Sequence, residues 1–122
     1  MVMLIDRIQP IRSPKHLAFI RECPPLIMGS GPVEAAHVRY GELRYGKDIT
    51  GMGRKPGDNW TVPLPHGVHM DQHASGERAW WEAQGIDPIL VAALLWAHSG
   101  NFNAARLVIS MARGWPIRSI VA

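Results

Sequence analysis

The sequence predicts an α+β domain: two short strands around a long basic loop, followed by a run of helices. Three observations predict it. VEAAHVRYG (33–41) and WTVPL (60–64) carry β-branched and aromatic residues in runs too short for helices. Between them, GELRYGKDITGMGRKPGDN (41–59) is rich in glycine and cations and has no hydrophobic period. After them, four stretches between His66 and Arg113 show helical spacing or helix-boundary signals.

Each element in chain order has its own cause. Residues 2–12 read as a short strand or extended arm that ends at Pro10. PKHLAFIRE, 14–22, suits a helix with Pro14 at its first position, where the missing N–H is not needed. CPPLIMGSGP, 23–32, holds too many breakers for a helix. Val33 opens a strand or hairpin arm that carries His37, and Pro63 cuts the second strand. A helix starts near His66 and runs to about Ala74. ERAWWEAQ, 77–84, is the next helix and Gly85 stops it. Its neighbours Trp80 and Trp81 cannot share a face, so one belongs to the core and the other is partly exposed. Asp87 and Pro88 cap and open PILVAALLWAH, a stretch for core packing or a partner face. FNAARLVISMAR, 102–113, is the last helix, closed by Gly114 and Pro116.

At 122 residues the chain suits one domain with a modest core. The single cysteine, Cys23, allows neither an internal disulfide nor a four-cysteine metal knuckle. The opening MVMLIDRIQPIRSP is interrupted by Asp6, Arg7, Gln9 and Pro10 and lacks a signal-peptide core. No apolar run approaches the ~20 residues of a membrane span, so the expected location is the cytoplasm, without a membrane partner. Lys and Arg number 13 against 10 Asp and Glu, a net charge of +3. Ten of those 13 cations are Arg, which binds phosphate in a bidentate manner, so a nucleic-acid partner is allowed.

HGVHMDQH, 66–73, carries the chemistry. His66, His69 and His73 are spaced three, then four residues apart, which stacks them along one helix face. Two imidazoles at i and i+4 can hold one divalent ion. His37, across the gap on the first strand, could stay off the metal and deprotonate a water aimed at phosphorus. The ion would stabilise charge on the phosphate and on the leaving oxygen. The alternative is a set of solvated or core histidines with no shared task.

The stretch GSGPVEAAHVRYG…GRKPGDNWTVPLPHGVHMDQHASGERAWWEAQGID resembles phage-type HNH endonucleases, of the small group related to the RecA-dependent phage nucleases. The likeness covers roughly residues 17–99 and rests on VEAAHVR, the GRKP-D-N-WTVPL run, the H-x-x-x-H pair and the ERAWWEAQGIDP tail. It implies a single HNH-like domain over 1–122: an arm at 1–16, a ββα-metal core with additional helices at 17–99, and a C-terminal helix and tail at 100–122. It also implies metal-dependent cleavage of DNA phosphodiester bonds. His37 falls on the family's general base, and His69 and His73 on its metal ligands. Asn59 is the nearest match to the asparagine that braces the loop by hydrogen bonds, or else a plain turn residue in GDN.

Two departures follow from the same resemblance. Many relatives carry a structural zinc knuckle, and its matching positions here are Pro25, Met28, Pro65 and Val68. The expectation is no structural zinc and a small apolar cluster of those four side chains. Many HNH sites also place a metal-binding His or Asp directly before the base, where this chain has Ala36. His66 or Asp71 could complete the shell, although His66 reads equally as a solvated first-turn residue. An ion held by two histidines, its shell filled by water and substrate phosphate, suits Mg²⁺ or Mn²⁺, with Zn²⁺ or Ni²⁺ as alternatives. Arg39, Arg44, Lys47, Arg54 and Lys55 flank the site and suit either backbone phosphates or a solvated loop. The expected partner is DNA, with a phage or recombination protein as a second candidate. The alternative function is a degenerate HNH domain that binds DNA or a partner without cutting.

Overall fold

In a computed structural model, residues 10–47 and 55–114 are described. The fold is mixed α+β. Helix α1 (Pro14–Glu22) precedes strand β1 (Val33–His37), then a one-turn 3₁₀ helix (Leu43–Tyr45) and strand β2 (Thr61–Pro65). Four helices follow: α2 (His66–His73), α3 (Glu77–Gln84), α4 (Pro88–Ala97) and α5 (Phe102–Ala112). The arm at 1–9 and the tail beyond 114 lie outside the described residues.

The two strands pair antiparallel, with Glu34 opposite Leu64, Ala36 opposite Val62 and His37 opposite Thr61. Strand β2 runs through Pro63 to Pro65 rather than being cut, and the ladder parity explains why. Val38 N–H bonds the Trp60 carbonyl at 2.8 Å and His66 N–H bonds the Pro32 carbonyl at 2.9 Å. The positions paired by hydrogen bonds are therefore the even ones of β2. The nitrogens of Thr61, Pro63 and Pro65 turn away from β1, where a proline removes nothing from the ladder. On that outer edge the Pro63 carbonyl accepts the Leu26 N–H at 2.9 Å.

Side chains alternate along each strand. Glu34 and Ala36 therefore share a face with Leu64 and Val62, and Val33, Ala35 and His37 share the other. All five β2 residues are buried, because α1, α2 and α4 pack against the strand. The core joins Phe19, Ile20 and Leu26 to Val62, Leu64, Trp81, Ile89, Leu95 and Ile109. Trp81 is buried and Trp80 half-buried, their rings edge-on at 4.9 Å. Helix α4 packs into the core through Ile89, Val91, Ala92 and Leu95, which are buried, whereas Leu90 and Leu94 are exposed. No helix among the described residues is long and apolar enough to cross a membrane.

Three helices begin at side-chain caps, of which Asp87 is the one named from sequence. The side chains of Ser13, Asp87 and Asn101 accept N–H groups of the first turns of α1, α4 and α5. Helix α2 starts differently, on the backbone of GSG (29–31). Gly67 N–H bonds the Ser30 carbonyl at 2.9 Å, beside the His66–Pro32 bond already described. Gly31 has φ +89°, and a Cβ there would stand 2.9 Å from the His66 Cβ. This close approach fixes where α2 crosses the hairpin.

The knuckle positions do not form the expected four-residue apolar cluster. Met28 points outward, 66% exposed. Its neighbour Gly29 lies against α2 instead, so tightly that a Cβ there would overlap Val68. Only Pro65 and Val68 of the four are buried, because the glycine lets the loop backbone itself cover them.

Candidate functional site

His37 closes β1, and its imidazole is held from the following loop. Nε2 lies 2.9 Å from Asp58 Oδ1, and the two side chains are 11% and 4% exposed. Asp58 braces the whole corner. Its Oδ2 accepts the Ser13 N–H at 2.8 Å, its carbonyl accepts the Thr61 hydroxyl at 2.8 Å, and its N–H bonds the Ile11 carbonyl at 2.8 Å. Arg12 donates to the Pro56 carbonyl at 2.6 Å and the Lys55 carbonyl at 3.0 Å, and stands 3.5 Å from Asp58 Oδ1. Asn59 has two readings from sequence, a brace for this loop or a plain turn residue, and it lies in a turn. The hydrogen bonds belong to Asp58, one position earlier, and among the described residues the Asn59 side chain makes none.

Burial pushes the His37 imidazole below its ordinary value, against the opposing pull of the Asp58 carboxylate. Burial raises the Asp58 carboxyl, but the hydrogen bonds from His37 and Ser13 and the nearby Arg12 outweigh it, so it stays ionised below the usual range. An ionised carboxylate only accepts, so Nε2 carries the proton of the neutral ring. The lone pair is then on Nδ1, which has no protein partner among the described residues. A carboxylate that fixes the tautomer of an imidazole in this way produces an oriented base.

A second cluster lies on the other face of the hairpin. Glu34 reaches α2 with both oxygens: Oε2 is 2.9 Å from His66 Nδ1 and Oε1 is 2.9 Å from His69 Nδ1. These contacts, His69 first, hold the Glu34 carboxyl below its ordinary value. One turn along, His73 Nε2 lies 3.0 Å from His69 Nε2, with the ring centres 4.5 Å apart. The Nε2–Nε2 separation is that of a ring-to-ring hydrogen bond, and it is close to the roughly 3.0–3.4 Å between two nitrogens about 2.1 Å from one ion at octahedral or tetrahedral angles. His66 is tied to Glu34, 54% exposed, and among the described residues its ring makes no hydrogen bond to His69 or His73. Asp71 is exposed. Among the described residues no group of three or more His, Cys, Asp or Glu side chains is arranged to hold an ion. What the structure brings together is thus a pair of imidazoles, with a carboxylate behind one member.

The structure brings His69 and His73 together and adds Glu34 to them. It does not join His37 to either by a hydrogen bond; alternation along β1 sends Glu34 and His37 to opposite faces. Of the loop cations, Arg39 and Lys55 are exposed. Arg44 is exposed but engaged with Glu42, Nε to Oε1 at 3.1 Å. Lys47 departs from the expectation of a phosphate-contacting surface cation: it is 1% exposed, with Nζ 5.9 Å from the centre of the Trp60 ring. A bridge between Glu42 and Lys47 folds this end of the loop inward. Arg54 lies outside the described residues.

Sequence reasoning missed Asp58 and Glu34. For Glu34 a signal existed, since two residues upstream of Ala36 on a strand is the same face. Comparison of the chain with protein-family models, curated proteins and solved structures finds no match.

Proposed function

We propose that the chain is a metal-dependent DNA endonuclease of the HNH type, with a ββα-metal core formed by β1, β2 and α2. The observation that carries the reading is a carboxylate-held neutral imidazole ending one strand of a hairpin whose next helix presents two convergent imidazole nitrogens. Strand base, bracing loop residue and helix pair follow one another in the order that the sequence resemblance implies.

His37 Nδ1 takes a proton from a water as that water's oxygen bonds to phosphorus. The bond from phosphorus to the leaving sugar oxygen breaks, and that oxygen is protonated from solvent. Asp58 keeps the His37 ring in the required tautomer and stabilises the imidazolium that forms. His69 and His73 would hold a divalent ion, Mg²⁺ or Mn²⁺ foremost, which supplies charge stabilisation at the phosphate and the leaving oxygen. Arg39 and Lys55, with Arg54 on the same loop, offer cations for backbone phosphates. The reading requires one phosphodiester to touch both clusters at the end of the hairpin.

A second reading, a DNA- or partner-binding module that does not cut, is favoured by Ala36 and by the separation of His37 from the histidine pair. Nicking of supercoiled plasmid in a metal series decides between them. The enzyme predicts metal-dependent nicking that falls by about 10²–10⁴-fold in His37→Ala with DNA binding retained. His73→Ala should need more metal and regain part of its rate at high concentration. Equal traces from wild type and His37→Ala would replace the enzyme by the binding module.

A further inference from the structure

We propose that Glu34 is a positioning residue for metal binding: it fixes the His69 tautomer so that Nε2 is free for the ion, compensating for the alanine at 36. The inference rests on the metal reading of His69 and His73 and is independent of cleavage. Ala36 and Glu34 share a face, but alanine has no donor atom. Glutamate, one pleat earlier, has the length to reach α2 without reaching the point between the two Nε2 atoms.

The geometry assigns the protons. Each Glu34 oxygen sits 2.9 Å from an Nδ1, and an ionised carboxylate can only accept. His69 therefore carries its proton on Nδ1, and its Nε2 lone pair points at His73, 3.0 Å away. The His73 Nε2–H donates into that lone pair, and an ion would displace this one proton. Without Glu34 no other group among the described residues holds the His69 proton at Nδ1. The more common Nε2–H form would then put a hydrogen where the ion belongs. The bond to His66 gives the carboxylate a second anchor, so His66 steadies Glu34 and stays off the ion. An outer carboxylate behind a ligating histidine typically contributes 10–100-fold in metal affinity.

The test uses the full chain and two independent readouts. Imidazole ¹⁵N shifts without metal, at a pH where the rings are neutral, report the tautomer directly. Wild type should show His69 as Nδ1–H, Glu34→Ala should convert it largely to Nε2–H, and Glu34→Gln, whose amide oxygen still accepts, should keep much of the original form. Titration with Co²⁺ alone, read by its visible absorption, reports affinity. Glu34→Ala should bind roughly 10–100-fold more weakly, Glu34→Gln should recover part of the loss, and His66→Ala should fall less than Glu34→Ala. Unchanged tautomer or unchanged affinity in Glu34→Ala overturns the proposal while leaving the metal pair intact. Wild-type binding that survives His69→Ala and His73→Ala overturns the metal reading and this inference with it. Loss in Glu34→Gln as deep as in Glu34→Ala would make Glu34 a direct ligand and overturn the positioning role.

Discussion

Removing the Asp58 side chain should destabilise the protein far more than a loop substitution normally does. Asp58→Ala deletes the acceptor of two hydrogen bonds, from Ser13 N–H at 2.8 Å and from His37 Nε2 at 2.9 Å. Hydrogen bonds to a charged group contribute about 1.5–3 kcal/mol each. Both bonds are part-buried, so the losses add to at most roughly 3–6 kcal/mol, and less where water reaches a freed donor. The Arg12 contact adds little, about 0–1 kcal/mol, because the arginine is 46% exposed. Against a typical total of about 5–15 kcal/mol, that is a large share. Urea unfolding followed by tryptophan fluorescence measures it. The pH dependence has a definite sign. The folded Asp58 carboxyl titrates below its ordinary value of 3.8, so its contribution is complete above that value and disappears as pH falls through the lower, folded one. Asp58 also pulls the His37 value upward, so the gap between wild type and Asp58→Ala should widen somewhat as pH falls through the histidine range and close only as the folded Asp58 carboxyl is protonated, below 3.8. His37 acts at higher pH. Its folded value lies below 6.5, so stability falls as pH drops from 6.5 towards that value, and His37→Ala should lack this part of the profile. A loss under about 1 kcal/mol in Asp58→Ala near neutrality, or a gap that persists undiminished well below pH 3.8, refutes the acceptor account.

Two other outcomes are expected. DNA affinity should fall steeply with salt, and Arg54→Ala with Lys55→Ala should weaken it equally for all sequences and flatten the salt slope by about two phosphate contacts; salt-independent binding in a gel-shift series would remove the loop from the interface. Gly31→Ala should destabilise by about 1–2 kcal/mol in thermal or urea unfolding, since φ is +89° and the new Cβ meets His66; a neutral result would mean that the GSG contact does not fix α2.

The helices were legible because their signals are local. Pro14 and Asp87–Pro88 announce the starts of α1 and α4, and Gly85 ends α3, all within a few residues of the bonds made there; the caps Ser13 and Asn101 are equally local but are identified only by the structure. The strand break expected at Pro63 was the wrong inference from a correct rule. Proline removes a ladder bond only where its nitrogen faces the partner, and that depends on a register that β2 alone does not reveal. Lys47 is the same kind of case: in a Gly-rich basic loop it reads as a surface cation, and only the Glu42 bridge and the Trp60 ring put it inside. The Met28 expectation failed by a single residue, with Gly29 taking the contact on Val68.

The candidate site shows what spacing can and cannot supply. Histidines at i and i+4 on a helix meet whatever the rest of the chain does, so the His69–His73 pair is readable from eight residues. The carboxylates behind the histidines are not, because they come from other elements: Glu34 from a strand 35 residues before His69, and Asp58 from a loop 21 residues after His37. Yet the physical need for them was foreseeable. A neutral imidazole has one donor and one acceptor, and it serves as base or ligand only when something fixes which nitrogen holds the proton. Each functional histidine therefore implies an acceptor near its other nitrogen, and a half-buried one implies a charged acceptor. Period-2 alternation points to Glu34 for α2, because it shares the face of Ala36. For His37 the acceptor is Asp58, next to the Asn59 singled out from sequence. An asparagine can offer its amide donor as readily as its oxygen, whereas an ionised aspartate can only accept, so Asp58 is the better holder of a base.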